Sequence, residues 1–364
     1  VNLSDTSSPG IAEDAGAQEG GPVDRGQQRR RRARRALLIV VGIVVVLVAG
    51  LAGVAAYLQA RIDASIERID DPFAPLTNRP DRVASGAGPV NILVLGSDSR
   101  ISAGEPSQWA AGAQRTDTMM VVQISGDREH AYVMSIPRDS WVEIPGHGQN
   151  KINAAYSFGG PSLMIQTVEN LTGIRIDHFA IADFESFAAL TDELGGVEIT
   201  MPNGLDNTGV ALPPGTHTLD GEQALAYARQ RHGVPGGDLG RVQRQQNWMR
   251  SILQAVYRAD RLADPVGLTR LLQTVGQTVA VDEGFTMGKM RNLAVSMRDI
   301  RPNDLVFMTA PNLGTGRSPD GAQSIVLLDE GRFGALCNAL AADSVANYLE
   351  VNPGAVVTLG DDVA

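Results

Sequence analysis

The sequence predicts an α/β fold: a single domain with a central mixed sheet flanked by helices, preceded by one transmembrane helix. Three observations predict it. From residue 90 onward, short apolar runs bounded by turn residues alternate with longer stretches of helical periodicity. No internal repeat and no clean boundary divides that region, so it reads as one unit over 90–345. Ahead of it, Ala36 to Leu58 runs without a charge, long enough to cross a hydrocarbon core of about 30 Å.

The elements follow in order. Residues 1–35 are polar, rich in Gly, Ser and Gln, and end in Arg29-Arg30-Arg31-Arg32-Ala33-Arg34-Arg35. Such a segment buries too little apolar surface to offset its ordering entropy and reads as a disordered tail. The arginine block beside the apolar run 36–58 places this end in the cytoplasm and the rest of the chain outside the cell membrane, a single-pass topology. The alternative is a cleaved signal peptide, for which the apolar run is long. Residues 59–89 carry Pro72, Pro75, Pro80 and Pro89 and read as a stalk. Val90–Gly96, Thr118–Ile124 and Ala131–Ile136 read as buried strands, the last two joined as a hairpin by Ser125-Gly126-Asp127. Pro161–Leu171 is a helix closed by Gly173, His178–Ala182 a strand, Phe184–Leu194 a helix and Val197–Met201 a strand. Asp220 caps a helix ending at Arg229, and a long helix covers Leu239 to Arg258. Asp264–Val279 and Thr286–Arg298 are expected helices, Asp304–Thr309 a strand, Asp329–Leu340 a closing helix, and 346–364 a loose C-terminal tail.

Composition narrows the function. The single Cys337 excludes an intramolecular disulfide and any multi-cysteine metal site. The net charge of −10 argues against nucleic-acid binding by the whole chain. Lysine occurs only at Lys151 and Lys289, so nearly every cation is arginine and only position makes an arginine informative.

The chemistry-bearing residues fall at element ends. Asp98 lies just past the first buried strand, and Asp117, in Arg115-Thr116-Asp117-Thr118, leads into the next. Two carboxylates at adjacent strand ends suit Mg²⁺ or Mn²⁺, hard cations that keep open positions for phosphate oxygens and water. Arg138 follows Ser135-Ile136-Pro137 out of a third strand. The densest cluster is Arg229 and Arg231, then a loop, then Asp238 opening a helix that carries Arg241, Arg244 and Gln245. The spacing i, i+3, i+4 puts the last three on one face. Guanidinium groups bind phosphate in a bidentate manner, so this cluster with two carboxylates suits a pyrophosphate. No Walker loop, no HExxH and no Gly-x-Ser-x-Gly elbow is present.

Together these segments resemble the LytR-CpsA-Psr family of envelope phosphotransferases, over about Pro89 to Leu340. The resemblance rests on Asn91-Ile92-Leu93-Val94-Leu95-Gly96-Ser97-Asp98-Ser99-Arg100, Arg115-Thr116-Asp117-Thr118-Met119-Met120, Ser135-Ile136-Pro137-Arg138-Asp139, Lys151-Ile152-Asn153-Ala154-Ala155-Tyr156, Leu194-Gly195-Gly196-Val197 and Tyr227-Ala228-Arg229-Gln230-Arg231. Asp238 followed by Arg241, Arg244, Gln245 and Gln246 completes it. It implies a membrane-anchored transferase that moves a glycopolymer from polyprenyl pyrophosphate to peptidoglycan, with no nucleic-acid partner. It implies that Asp98 and Asp117 hold Mg²⁺ or Mn²⁺. Arg138, Lys151, Arg229, Arg231, Asp238, Arg241, Arg244 and Gln245 would line the pyrophosphate pocket. Asp98, Arg229 and Arg231 would act in catalysis, and Asp98 is the side chain best placed to take the acceptor's proton. A polyprenyl-pyrophosphate hydrolase and a non-catalytic scaffold for lipid-linked precursor share these features. The arginine-heavy, Ala- and Gly-rich composition leans towards an actinobacterial source, hence an arabinogalactan-like donor.

Overall fold

A computed structural model describes residues 67–83, 88–97, 116–207, 209–230, 237–258 and 279–360. The chain divides into two compact units, Val1–Leu58 and Gln59–Ala364, and all described residues belong to the second. The expected transmembrane helix at 36–58 lies outside the described residues. Among those described, no helix is long and apolar enough to cross a membrane.

The elements run β1 (Arg68–Ile69), β2 (Val90–Ser97), β3 (Thr116–Ile124), β4 (Ala131–Ser135), β5 (Trp141–Ile144), β6 (Gly148–Lys151), α1 (Ala154–Thr172), β7 (His178–Asp183), α2 (Phe184–Glu193), β8 (Val197–Met201), β9 (Leu205–Asn207), β10 (Val210–Leu212) and β11 (Gly215–Leu219). There follow α3 (Gly221–Arg229), α4 (Gly237–Arg258), β12 (Val279–Asp282), α5 (Met287–Ser296), β13 (Leu305–Thr309), β14 (Asn312–Arg317), β15 (Ser324–Leu328), α6 (Glu330–Ala341) and α7 (Val345–Val351).

Seven strands form the mixed central sheet in the order β1-β12-β7-β2-β3-β4-β13. β2 pairs parallel with β7 and antiparallel with β3, β3 antiparallel with β4, and β4 parallel with β13. The continuous apolar runs in β2 and β3 are what a strand covered on both faces requires. Leu93, Leu95, Met119 and Val121 pack with Tyr156, Met164 and Val168 of α1 and with Phe333, Leu336 and Leu340 of α6 on one face. On the other, Met120, Val133 and Phe307 meet Met249 and Leu253 of α4. A smaller core joins Val197 and Ile199 of β8, Leu219, Tyr227 of α3 and Trp248 of α4.

Local chemistry explains several boundaries. At the start of α3, Asp220 accepts from Gln223 N at 2.9 Å while Gln223 Oε1 accepts from Asp220 N at 3.2 Å, a reciprocal cap. Gly221 must be glycine, because a Cβ there would sit 2.3 Å from the Ala188 carbonyl oxygen of α2. The expected helix start at Pro161 is half right. Helical structure begins at Ala154, breaks at Gly159–Gly160, where Gly160 takes φ 63°, and resumes with Pro161.

Two expectations are corrected, and a third lies almost wholly outside the described residues. The helix expected over Asp264–Val279 lies outside the described residues except for Val279, which opens β12, a strand fixed by pairing with β1 and β7. The tail expected at 346–364 holds most of α7, and its following residues pair along β13. Leu359 N donates to Phe307 O at 2.9 Å and Thr309 N to Val357 O at 3.3 Å, so an otherwise open sheet edge is covered. The segment expected as a stalk contributes β1. It also contributes Arg79, whose Nη2 lies 2.6 Å from Oε1 of the buried Glu169 and whose guanidinium stacks over Phe73. The expected hairpin of β3 and β4 is present, and the expected helices 184–194, 286–298 and 329–340 appear with small shifts at their ends.

Cys337 lies on the buried face of α6, and burial pushes its thiol up to about 12. A thiol reagent at pH 8 is therefore expected to leave native protein unlabelled and to modify it fully in denaturant. Rapid native labelling would contradict this packing.

Candidate functional site

The ends of β2, β7, β4 and β13 share one edge of the sheet, because all four run in the same direction. Ligands of open α/β sheets bind beyond such carboxyl ends. Ser97 closes β2 immediately before Asp98, which lies outside the described residues. The register of β2 with β3 shifts there: Gly96 pairs with Thr118 and Ser97 with Thr116. Asp117 is thus the extra residue of a β-bulge, a device that re-aims side chains beside functional sites. The backbone brings the Asp117 position beside the residue preceding Asp98.

Helix α4 spans this edge. Thr118 Oγ1 donates to Gln245 Oε1 at 2.6 Å, holding α4 to the start of β3. The next residue, Gln246, donates through Nε2 to Ser135 Oγ at 2.7 Å and to Met308 O at 2.9 Å, holding it to β4 and β13. On the same helix, Arg241 and Arg244 are buried, Arg244 with 0% exposure. Arg244 Nη2 donates to Gln230 O at 2.5 Å, which joins α4 to the residue after α3. Burial lowers the Arg244 pKa from its ordinary value and the like charge of Arg241 adds to this, while Tyr227 opposes it. Tyr227 is itself held in place by Asn247 Nδ2, which donates to its hydroxyl at 2.9 Å.

A second basic group follows β4. Asp139 receives Lys151 Nζ at 3.0 Å, with Arg138 Nε 3.9 Å away. The loop that carries them is pinned on three sides. Asn153 N donates to Arg138 O, Ile152 N to Ser140 O, and Val326 N to Asp139 O.

The structure thus joins Arg138 with Lys151 through Asp139, sets Arg241 beside Arg244, and seats Gln245 on Thr118. Arg229 is half-buried at the end of α3, one residue before the carbonyl that Arg244 holds. Asp98 and Arg231 lie outside the described residues, as do the side chains of Asp117 and Asp238. Sequence reasoning missed Thr118 as a partner and Asp139 as the bridge. The consecutive polar residues Gln245, Gln246 and Asn247, all buried, were the available signal for a helix that bonds on several faces.

Beside Thr118 and Gln245 lies a narrow apolar slot, also lined by Val94, Leu95, Phe187, Trp248 and Met249, with a volume of about 20 Å³. That is room for about one water. A wider cavity, about 660 Å³, opens instead at the opposite end of the sheet, where β7 begins. Several of its polar groups are already partnered, Arg82 with Asp177 at 3.2 Å and His178 with Asp282 at 3.1 Å. Size alone does not make it the site. Among the described residues, the side chains grouped closely enough to share a cation are Asp127, Glu129 and His130 in the β3–β4 turn, at the far end of β3 from Asp117.

The cell wall biosynthesis protein LcpA of Corynebacterium glutamicum is 32% identical over 280 residues, covering 66% of this chain and 54% of that protein. The regulatory protein MsrR of Staphylococcus aureus is 41% identical over 168 residues, covering 45% of this chain and 48% of that one. The chain thus spans about half the length of the curated relatives it matches. Among solved structures, TagT bound to LIIa-WTA superposes with a TM-score of 0.53 at 25% identity, covering 70% of this chain and 90% of that one. The LytR_cpsA_psr family model matches residues 61–340, and with that span covering most of its length the chain belongs to this family.

Proposed function

We propose that the protein is a membrane-anchored phosphotransferase that attaches a polyprenyl-pyrophosphate-linked glycopolymer to peptidoglycan through a phosphodiester. In this reading the N-terminus is cytoplasmic and the folded domain lies outside the membrane. The observation that carries the proposal is that α4, fastened by Gln245 and Gln246 to β3, β4 and β13, sets the buried Arg241 and Arg244 together at the edge where β2, β4 and β13 end. Guanidinium groups gathered at one edge suit a pyrophosphate, whose oxygens they bind in a bidentate manner. The name of the LcpA relative, a cell wall biosynthesis protein, and the TagT neighbour bound to LIIa-WTA support the same direction.

The reaction forms one P–O bond and breaks another. The acceptor hydroxyl oxygen attacks the phosphorus that bears the glycan, and the bond from that phosphorus to the bridging oxygen breaks. Polyprenyl monophosphate leaves with the bonding pair. Arg138, Arg229, Arg231, Arg241 and Arg244 hold the phosphate oxygens and offset the charge that grows on the leaving group. Lys151 is oriented by Asp139 towards the same task. We assign the hydroxyl's proton to Asp98. Asp98 and Asp117 would hold Mg²⁺ or Mn²⁺, which would supply Lewis-acid polarisation of the phosphoryl oxygens. The polyprenyl chain would meet the apolar slot, which admits it only if Phe187, Trp248 and Met249 spread. An arabinogalactan-like polymer is the donor that the arginine-heavy composition favours.

The test uses the full chain in detergent with a short lipid-pyrophosphate-linked saccharide and peptidoglycan fragments, followed by mass spectrometry. Saccharide–peptidoglycan product is expected with Mg²⁺. We expect it to fall at least 100-fold with EDTA, and likewise in Asp98→Ala and Arg229→Ala, about the loss of a main charge-stabilising group. Lipid phosphate released without linkage would assign a hydrolase. Tight donor binding without turnover would assign a scaffold.

A further inference from the structure

We infer that Trp141, on the hairpin of β5 and β6, is a stacking platform for a pyranose ring of a glycan substrate. The hairpin is two-faced. Val142 and Ile144 are buried against the core, whereas Trp141, Glu143, Gln149 and Lys151 alternate onto the other face. On that face Trp141 lies directly opposite Lys151, and Glu143 opposite Gln149. The indole N–H of Trp141 donates to Gln149 Oε1 at 3.0 Å, which ties down the polar edge of the ring. An incompletely buried tryptophan fixed in this way offers a flat apolar surface bordered by an ammonium, an amide and a carboxylate. A pyranose has the complementary surface, a face of C–H groups ringed by hydroxyls.

The position links the platform to the reaction. Lys151, the cross-strand neighbour of Trp141, bonds Asp139 at 3.0 Å, and Asp139 follows Arg138. A sugar on Trp141 would therefore lie one side chain from the residues to which the proposed function gives the pyrophosphate. The hairpin is also preorganised. His147 at its tip stacks on Phe158 with centroids 4.6 Å apart, and Ile152 N donates to Ser140 O at 2.9 Å across its base.

The inference takes its substrate class from the transferase reading, so binding is measured without turnover. The probes are a soluble muramyl disaccharide, representing the acceptor, and the free terminal disaccharide of the donor. Each is titrated into the full chain in detergent and followed by saturation-transfer NMR. At least one disaccharide is expected to bind about tenfold more weakly to Trp141→Ala than to wild type, with most of the affinity restored in Trp141→Phe, which keeps an aromatic face. The KM for that partner alone is expected to rise by a similar factor. Which disaccharide responds identifies the source of the ring. Equal binding of both to wild type and Trp141→Ala would overturn the inference, as would an effect that Trp141→Phe does not relieve. If Trp141→Ala loses its thermal transition, Gln149→Ala, which frees the indole edge, replaces it with a weaker effect of the same sign. Transfer with Trp141-independent binding would refute the platform and leave the transferase standing. Trp141-dependent binding without transfer would do the reverse.

Discussion

Replacing Arg244 by alanine is expected to slow transfer by about two to three orders of magnitude, the usual loss when one preorganised charge-stabilising donor is removed. The side chain has 0% exposure, so water cannot readily take its place. Stability is expected to change as well, by opposing contributions. The variant leaves the Gln230 carbonyl without the Arg244 Nη2 donor, a cost of about 1–3 kcal/mol. It also relieves the repulsion from Arg241 and the cost of burying a cation. Arg244→Met separates these contributions, since it fills most of the volume without the charge. It should melt closer to wild type than Arg244→Ala while remaining as inactive. Recovery of activity in Arg244→Met would show that Arg244 acts by packing alone.

Trp248→Ala should be the most destabilising of the single changes considered, by about 3–5 kcal/mol for a buried tryptophan. Trp248 is 2% exposed, donates through Nε1 to Thr191 Oγ1 at 3.0 Å and packs tilted on Phe187 at 5.9 Å. It joins α4 to α2 in the smaller core and lines the apolar slot. The loss leaves a cavity and takes one donor from the Thr191 hydroxyl, which keeps its own bond to Phe187 O at 2.9 Å. Trp248→Phe keeps much of the volume and should lose less than half as much. Urea denaturation measures both variants. A midpoint for Trp248→Ala within error of wild type would mean that α4 is not anchored there.

The parts of the fold readable from the sequence are those fixed by local chemistry. The strand over Val90 to Gly96 is legible because a strand buried on both faces needs an unbroken apolar string, here Ile92 to Leu95. The Asp220 cap is legible because the residue pattern is itself the mechanism. Strand β12 was not legible, because four residues become a strand only when β1 and β7 stand on either side. The docking of residues 357–359 on β13 is likewise a pairing between distant segments. At the site, the spacing of Arg241, Arg244 and Gln245 shows a shared helix face but says nothing of burial. Asp139 became a bridge only through the β5–β6 hairpin, which brings Lys151 back to it.

The two glutamines of α4 have a mechanical consequence. Consecutive residues of a helix point about 100° apart. Gln245 fastens to β3, while Gln246 fastens to β4 and β13. Two fasteners at different azimuths act like a key in a slot, stopping the helix from rolling and from sliding by a turn. Arg241 and Arg244 ride on the same rigid shaft, so their bearing is set before any ligand arrives. An insertion of one residue ahead of Gln245 in α4 would leave the charge count and the helix intact. It would rotate the arginines out of step with the glutamines, disarming the site by misalignment rather than by loss of a group.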